Sequence, residues 1–217
     1  MIICNTQRII YLAPPKTGTG SIVGVLKQRP YRGVFQDYTQ GYHNTIWEER
    51  FRDWFIFITT RHPYTRAVSY WQWVQRQVRI IKNNPTKNAV NCQFWARAYN
   101  YNIPSFTEFW DVFSHKHEQI TTWRASWHLE QIPRPVDKIV YQERLLQEFT
   151  SIPAFAGRQL GRAHRNPPSK QPWHSYYTPE LIARVHDHWG PDFAAFGYNP
   201  NFDDCVQGHY WVGNSIG

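Results

Sequence analysis

The stretch RIIYLAPPKTGTGSIVGVL, residues 8–26, joins two apolar runs through a turn that contains two prolines and two glycines. Residues 8–13 are mainly β-branched or aromatic and stop at the prolines, which predicts a short buried strand. Residues 21–28 carry apolar side chains at helical spacing, with Ser21 as a candidate N-cap. A glycine-containing turn between a strand and a helix is a common place for a bound anion. The arrangement is typical of α/β folds.

The glycine-rich turn, residues 14–21, offers several kinds of anion-binding group. N–H groups at a helix N-terminus lack intrahelical partners, and Gly18 and Gly20 allow the backbone to approach a ligand closely. Lys16 supplies a positive charge. Three hydroxyl side chains are expected to add donors: Thr17, Thr19 and Ser21. The nucleotide-binding pattern G-x-x-x-x-G-K-[ST] does not fit, because Lys16 precedes the glycines.

Further strands and helices alternate along the chain. WFIFITT at 54–60 reads as a buried strand, and a helix is predicted over 63–82, since Pro63 suits a first helical turn. Residues 137–143 read as another strand, followed by a short helix in LLQEF. A last helix is predicted to begin at Pro179 after Thr178 and to end at Gly190-Pro191. This alternation predicts an α/β fold with a parallel β-sheet flanked by helices.

The length and composition favour a single domain covering residues 1–217. Hydrophobic residues make up 41% and charged residues 18%, which is enough apolar material for a core and argues against general disorder. Residues 83–135 are aromatic and loop-rich with weak helical signals. We expect them to form an insertion or lid at the edge of the sheet.

The charge and the cysteines limit the partners and the location. Lysine and arginine exceed aspartate and glutamate by 24 − 16 = 8, which favours an anionic partner. The 11 tryptophans suit a surface that stacks on rings or sugars. The three cysteines form no C-x-x-C pair, so a cysteine-based zinc site is not expected. No signal peptide and no apolar run of about 18 residues is evident, which predicts a cytoplasmic protein.

A second motif, FITTRHPYTRAVSYW, follows the strongest predicted strand at residues 57–71. Arg61 would sit where a parallel strand reaches the carboxyl edge of the sheet, the usual ligand side. Ser69 would lie about two turns into the next helix. A guanidinium and a hydroxyl placed in this way can converge on one phosphate.

The two motifs together resemble those of sulfotransferases that use 3′-phosphoadenosine 5′-phosphosulfate (PAPS). The residues that match are Pro15, Lys16, Gly18, Thr19 and Ser21 in the first motif and Arg61, Pro63, Arg66, Ser69 and Tyr70 in the second. Segments 136–149 and 176–198 are also similar to the family. Because these similarities are spread along the chain, they favour one sulfotransferase domain.

The resemblance implies a P-loop-like sulfotransferase fold, PAPS as donor, 3′,5′-ADP as product, and no metal. It assigns the glycine-rich turn to the 5′-phosphosulfate, and Arg61 with Ser69 to the 3′-phosphate. The donor-binding residues are then Lys16, Thr17, Gly18, Thr19, Gly20, Ser21, Arg61 and Ser69. Lys16 would also be catalytic, because charge builds up on the bridging oxygen during transfer. Arg66 would support the site through packing or a carboxylate.

The predicted general base is His43 in QGYHNTIWEE, residues 40–49. His43-Asn44-Thr45 is similar to a His-x-Thr that some carbohydrate sulfotransferases carry at this point. A histidine with an ordinary pKa of about 6.5 can accept a proton at neutral pH. Other branches of the family use a glutamate, which leaves Glu48 and Glu49 as alternatives. His62 is expected to be structural.

A carbohydrate is the expected sulfate acceptor, on the basis of the aromatic content and the His-x-Thr. A peptide tyrosine and another small hydroxylated molecule stay open, and no nucleic-acid or membrane partner is expected. The basic loop at 164–175 would close over the nucleotide through Arg165 or Lys170, or else be a solvated surface loop. Two other classes stay open: an ATP-dependent phosphotransferase and a non-enzymatic polyanion or nucleic-acid binder.

Overall fold

A computed structural model describes residues 1–27, 31–39, 43–86, 90–117, 124–156 and 171–212. In these ranges the strands are β1 (Ile2–Cys4), β2 (Ile9–Leu12), β3 (Phe35–Asp37), β4 (Phe55–Thr60) and β5 (Lys138–Tyr141). The helices are α1 (Thr19–Leu26), α2 (Pro63–Asn83), α3 (Val90–Ala98), α4 (Phe106–His117), α5 (Ala125–Glu130), α6 (Leu145–Glu148), α7 (Pro179–Phe196) and α8 (Phe202–Val206). Short 3-10 turns lie at Glu49–Phe51, Gln142–Arg144, Phe149–Ser151, Pro153–Phe155 and Trp173–Tyr176.

The chain forms two compact units. The sheet unit comprises Met1–His62, Thr121–Ser169 and Pro191–Gly217 and contains the five strands. The helical unit comprises Pro63–Ile120 and Lys170–Gly190. That the whole chain is one sulfotransferase domain stays a prediction.

The sheet has the strand order β3-β1-β2-β4-β5 and is mixed. β2, β4 and β5 are parallel, whereas β1 is antiparallel to both β2 and β3. The prediction of a purely parallel sheet is therefore wrong for this edge. Residues 5–8 form a turn of four residues, and a connection this short can join only antiparallel neighbours. Parallel pairing of the other three strands brings their carboxyl ends to one edge, as expected.

Aromatic and β-branched residues fill the core of the sheet unit. Tyr11 of β2 stacks on Phe57 of β4, with ring centroids 4.6 Å apart. Ile22 and Leu26 place the apolar face of α1 in the same core. Burying one such side chain completely is worth roughly 1.5–3 kcal/mol. The burial of these residues therefore fixes α1 on the sheet and sets the position of the turn that precedes it.

Three helices occupy the stretch that the sequence predicts to be loop-rich. α3, α4 and α5 all fall within 83–135, so this stretch contains more helix than its weak helical signals indicate. Aromatic residues have a modest intrinsic helix propensity, which hides the pattern. Phe109, Trp110 and Phe113 of α4 are fully buried in the helical unit, and this burial outweighs the weak propensity. Whether the stretch acts as a lid stays a prediction.

α7 (Pro179–Phe196) consists of two helical runs that meet at a kink next to Gly190-Pro191. Trp189 has a non-helical backbone, with φ and ψ of −114° and 21°, so the first run ends where the sequence predicts and a second run continues to Phe196. A proline has no N–H to donate and clashes with the preceding turn. Pro191 is tolerated because it follows directly on the kink and begins a new run of helix.

No helix in the described ranges is both long enough and apolar enough to cross a bilayer. The longest, α2, has 21 residues and includes Arg66, Arg76, Arg79 and Lys82.

Candidate active site

Two residues of the glycine-rich turn between β2 and α1 have left-handed backbones. Lys16 has a φ of 67°, and Gly18 has a φ of 95° with a ψ of 1°. For a residue with a side chain this conformation costs about 1–2 kcal/mol. Strain of this kind is concentrated at ligand sites, and left-handed residues in a turn can direct successive N–H groups toward an anion. The strain at Lys16 therefore marks the turn as a candidate anion site.

Gly18 serves both the backbone and the packing of the turn. A Cβ at this position would lie 3.0 Å from Leu145 Cδ2 and 3.4 Å from Gln142 Cγ. Gly18 is also the N-cap of α1, which begins at Thr19 rather than at the predicted Ser21. The Ser21 N–H instead bonds to the Gly18 carbonyl at 2.9 Å.

A chain of hydroxyl groups holds the turn against the sheet. The Pro14 carbonyl accepts from Thr17 Oγ1 at 2.7 Å and from Thr19 Oγ1 at 2.9 Å. Because Thr17 gives its one proton to Pro14, the Thr59 hydroxyl donates the 2.7 Å bond to Thr17 Oγ1. The Tyr11 hydroxyl donates to Thr59 Oγ1 at 2.8 Å and makes a longer contact of 3.3 Å with Thr19 Oγ1. Burial raises the pKa of Tyr11 to about 12, so it stays protonated and remains a donor.

This network changes the expected role of two hydroxyls. Thr17 and Thr19 are buried, and they give their protons to the Pro14 carbonyl rather than to a ligand. In the structure these protons are therefore used within the turn. The assignment of Thr17 and Thr19 as donor-binding residues stays a prediction. Gly20 is exposed, whereas Lys16, Gly18 and Ser21 are half-buried.

Arg61 follows the last residue of β4 and is half-buried. Its charge acts on Glu143, which lies just after the neighbouring strand β5. Burial raises the pKa of the Glu143 carboxyl, while the backbone N–H of His62 and the charge of Arg61 act in the opposite direction. Glu143 Oε1 accepts the His62 N–H at 2.8 Å, and Oε2 accepts the Tyr198 hydroxyl at 3.1 Å. Glu143 thus fixes the backbone next to Arg61.

His62 has structural surroundings, as its prediction states. Its ring is fully buried against Phe193, Tyr198 and Tyr210. Burial lowers the pKa of His62 to about 4, although the hydrogen bond to the Asn199 carbonyl partly opposes the shift. The ring is therefore neutral at pH 7, and its Nε2–H donates to Asn199 at 3.1 Å.

Ser69 and Arg66 lie on α2, in the helical unit. Ser69 is buried. Arg66 is fully buried, and its guanidinium carbon lies 5.2 Å from the centroid of the Trp189 ring and 5.9 Å from that of Tyr70. These contacts agree with a packing role for Arg66. Arg61 belongs to the sheet unit, and its joint contact with Ser69 on one phosphate stays a prediction.

His43 is bonded to the residue that precedes the glycine-rich turn. Its Nδ1 lies 2.5 Å from the carbonyl oxygen of Ala13. Because a carbonyl can only accept, Nδ1 carries the proton, and in the neutral ring Nε2 holds the lone pair. The ring is half-buried. This contact brings the predicted base to the turn that carries Lys16 and leaves Nε2 as the basic nitrogen.

The two alternative bases are engaged by arginines. Glu48 Oε2 lies 2.6 Å from Arg50 Nε, and Glu49 pairs with Arg52. The side chain of Glu49 is 70% exposed, which is unfavourable for a base that must work in a water-excluded site. Both glutamates therefore have arginine partners in the structure, and the choice of His43 as the base stays a prediction.

Several supporting residues are absent from the sequence prediction. Glu143 lies just after a predicted strand, in a segment similar to the family. The sequence therefore predicts its place at the end of the strand but not its bonds to His62 and Tyr198. Thr59 is a polar residue near the end of an apolar strand, and this position could have identified it as a candidate site residue. The contact between Thr45 Oγ1 and His128 Nδ1, at 2.7 Å, joins residues 83 positions apart and leaves no local pattern.

Two further expectations concern metals and the basic loop. In the part of the chain that the structure describes, no group of three or more histidine, cysteine, aspartate or glutamate residues could hold a metal ion. Arg165 and Lys170 of the predicted nucleotide-covering loop lie outside the described residues.

Comparison with known proteins identifies the family. The model of the Sulfotransferase family matches residues 1–199 of the 217. Neither curated proteins nor solved structures give a significant match to this chain. The mixed five-stranded sheet flanked by helices is consistent with the family match. The chain therefore belongs to the sulfotransferase family, whose members are transferases of the sulfuryl group.

Proposed function

We propose that the protein transfers the sulfuryl group of PAPS to a hydroxyl of an acceptor, with the glycine-rich turn as the donor site and His43 as the base. The observation that carries this proposal is the 2.5 Å bond between His43 Nδ1 and Ala13, one residue before the turn. It brings a proton acceptor to a strained, lysine-containing anion site. Sulfuryl transfer needs these two groups close together.

The residues of the turn fit the donor. Backbone N–H groups at the start of α1 suit a phosphosulfate, and the charge of Lys16 suits the bridging oxygen, where negative charge develops. Arg61 and Ser69 would hold the 3′-phosphate. PAPS, when bound, supplies an activated sulfuryl group. Positioning and charge stabilisation by the protein are then the main contributions to the rate.

His43 handles the proton of the acceptor. Its Nδ1–H would stay on the Ala13 carbonyl, while Nε2 would take the hydroxyl proton as the acceptor oxygen bonds to sulfur. The bond from sulfur to the bridging oxygen would break in the same step, and 3′,5′-ADP would leave with the electron pair. Because the bond to Ala13 keeps the proton on Nδ1, Nε2 is the basic nitrogen in every turnover. The proton then leaves from Nε2 to solvent, which returns the ring to its neutral form.

A carbohydrate is the proposed acceptor. The 11 tryptophans and the similarity of His43-Asn44-Thr45 to the His-x-Thr of some carbohydrate sulfotransferases support this choice. The test is incubation with PAPS labelled in the sulfuryl group and a set of glycans, phenols and small alcohols. We expect label on a glycan hydroxyl. Label only on a phenol would mean that the acceptor is a phenol and not a carbohydrate. No label on any compound would contradict the proposed reaction.

A binding experiment tests the donor separately. We expect 3′,5′-ADP to raise the melting temperature without magnesium, and to do so more strongly than Mg-ATP. A larger shift with Mg-ATP would favour an ATP-dependent phosphotransferase. Tight polyanion binding that falls steeply with salt and that 3′,5′-ADP does not displace would favour a polyanion or nucleic-acid binder.

A further inference from the structure

The segment that carries the proposed base has no regular secondary structure, yet three successive residues are anchored. His43 donates from Nδ1 to Ala13 at the end of β2. The Asn44 carbonyl accepts from the amino group of Met1 at 2.6 Å and from Thr39 Oγ1 at 3.3 Å. Thr45 bonds through Oγ1 to His128 of α5. The position of the segment therefore depends on contacts with Ala13, Met1 and His128, which lie 30 to 83 positions away in the chain.

The contact between Thr45 and His128 is the most buried of these anchors. Thr45 is 8% exposed and His128 is fully buried, and Oγ1 lies 2.7 Å from Nδ1. Breaking a hydrogen bond between two buried side chains costs free energy, because each group loses its partner and gains no bond to water in return. The pair therefore resists displacement of the segment at a point two residues from His43.

α5 is itself held in place at its first turn. The carboxylate of Asp192, which is 1% exposed, accepts the N–H of Ala125 at 2.9 Å and that of Ser126 at 2.8 Å. His128 follows two residues later on the same helix. The contact at Thr45 thus connects the His43 segment to a fixed support and not to a mobile side chain.

We propose that His128 is a positioning residue that holds His43 in its Nδ1–H tautomer and orientation through Thr45. This inference rests on the proposed function for its effect on turnover. If Thr45 is released, the backbone at residue 43 can shift, the bond to Ala13 lengthens, and the imidazole proton can move to Nε2. In that tautomer Nε2 cannot accept the proton of the acceptor.

The kinetic test uses variants that remove single groups. Thr45→Val deletes the hydroxyl at nearly constant shape, and His128→Phe deletes the ring nitrogens. We expect each to lower kcat by about tenfold, as misplacement of a catalytic group does, while the Kd for 3′,5′-ADP changes less than about twofold. The double variant should be no slower than the slower single variant, since both changes break one contact.

The matched controls retain a hydrogen bond. Thr45→Ser keeps the hydroxyl, and His128→Asn keeps a polar atom near the position of Nδ1, so both should stay close to the wild-type kcat. In a His43→Ala background, Thr45→Val should cause no further loss. An equal tenfold loss in that background, or a wild-type kcat for folded Thr45→Val, would overturn the proposal. If Thr45→Val does not fold, the comparison of His128→Phe with His128→Asn replaces it.

Tautomers measured by NMR separate this inference from the proposed reaction. Long-range ¹H–¹⁵N spectra of ¹⁵N-histidine protein report which ring nitrogen of His43 carries the proton, with no need for turnover. We expect Nδ1–H in wild type and Thr45→Ser, and a substantial Nε2–H population in Thr45→Val. An unchanged Nδ1–H signal in Thr45→Val would overturn the positioning role, even if label transfer from PAPS is confirmed. A changed signal without label transfer would contradict only the proposed reaction.

Discussion

The glycine-rich turn and the segment that carries His43 meet at Ala13, but they are held in different ways. Within the turn, Thr17 and Thr19 donate to Pro14, a few residues away, and one longer-range bond comes from Thr59 of β4. The three residues of the His43 segment bond to parts of the chain up to 83 positions away. A turn held mainly by local bonds can be recognised from its own sequence. A segment held by distant bonds depends on the completed fold.

The largest expected effect comes from removing the base. His43→Ala should lower kcat by about 10²–10⁴, the usual contribution of general base catalysis, while 3′,5′-ADP binds with unchanged affinity. Label transfer at saturating donor and acceptor gives kcat, and calorimetry gives the Kd. His209→Ala, which changes an exposed histidine, is the control. Normal turnover by His43→Ala would place the base elsewhere.

The second-largest effect is expected for Lys16→Ala. Its kcat should be lower by about 10²–10³, because a preorganised charge at the bridging oxygen is lost. The fold should survive, because the threonine bonds that hold the turn do not involve the Lys16 side chain. Lys27→Ala, at the exposed C-cap of α1, serves as the matched control in the same assay. If Lys16→Ala retains full turnover, the lysine has no part in the mechanism.

Two glycines near the turn should respond to alanine with opposite signs. Gly18→Ala should destabilise the protein by about 1–2 kcal/mol through the left-handed backbone alone, with more from the close approach to Leu145. Gly24→Ala, inside α1 with open space around the added Cβ, should stabilise it by about 0.5–1 kcal/mol. Urea unfolding measures both. Equal effects would mean that the turn does not require its left-handed backbone.

The smallest expected effect is at the support of the turn. Thr59→Val removes the hydroxyl that links Tyr11 to Thr17 and should weaken 3′,5′-ADP binding a few-fold, since one hydrogen bond is worth about 1 kcal/mol. Thr59→Ser keeps the hydroxyl and should bind normally. If both variants show the same Kd, the hydroxyl chain does not shape the turn.

The sequence reveals those parts of the fold and site whose causes are local. The strand, turn and helix around Lys16 are recognisable because β-branched residues, prolines and glycines follow one another in a short stretch. β1 is missed because three residues give too short a pattern, and only the hairpin with β2 reveals its direction. Aromatic packing hides α4 in the same way, since its stability comes from burial.

The site shows the same limit. The sequence points to His43, but the bond that fixes its tautomer requires Ala13 to lie beside it, 30 residues away in the chain. The sequence suggests hydroxyl ligands at Thr17 and Thr19, but the carbonyl that accepts their protons is identified by the folded turn. Residue type therefore predicts which groups are present, and the fold decides where each proton goes.

The most direct test of the account is the single-turnover rate of label transfer, measured from about pH 5 to pH 8 with PAPS bound in advance. For wild type we predict a rate that rises with pH, because Nε2 of His43 must be unprotonated to accept the hydroxyl proton. His43→Ala should bind PAPS equally well and give a low rate that does not rise over this range. The same rise with pH in His43→Ala as in wild type would contradict the central claim that His43 activates the acceptor beside the glycine-rich turn.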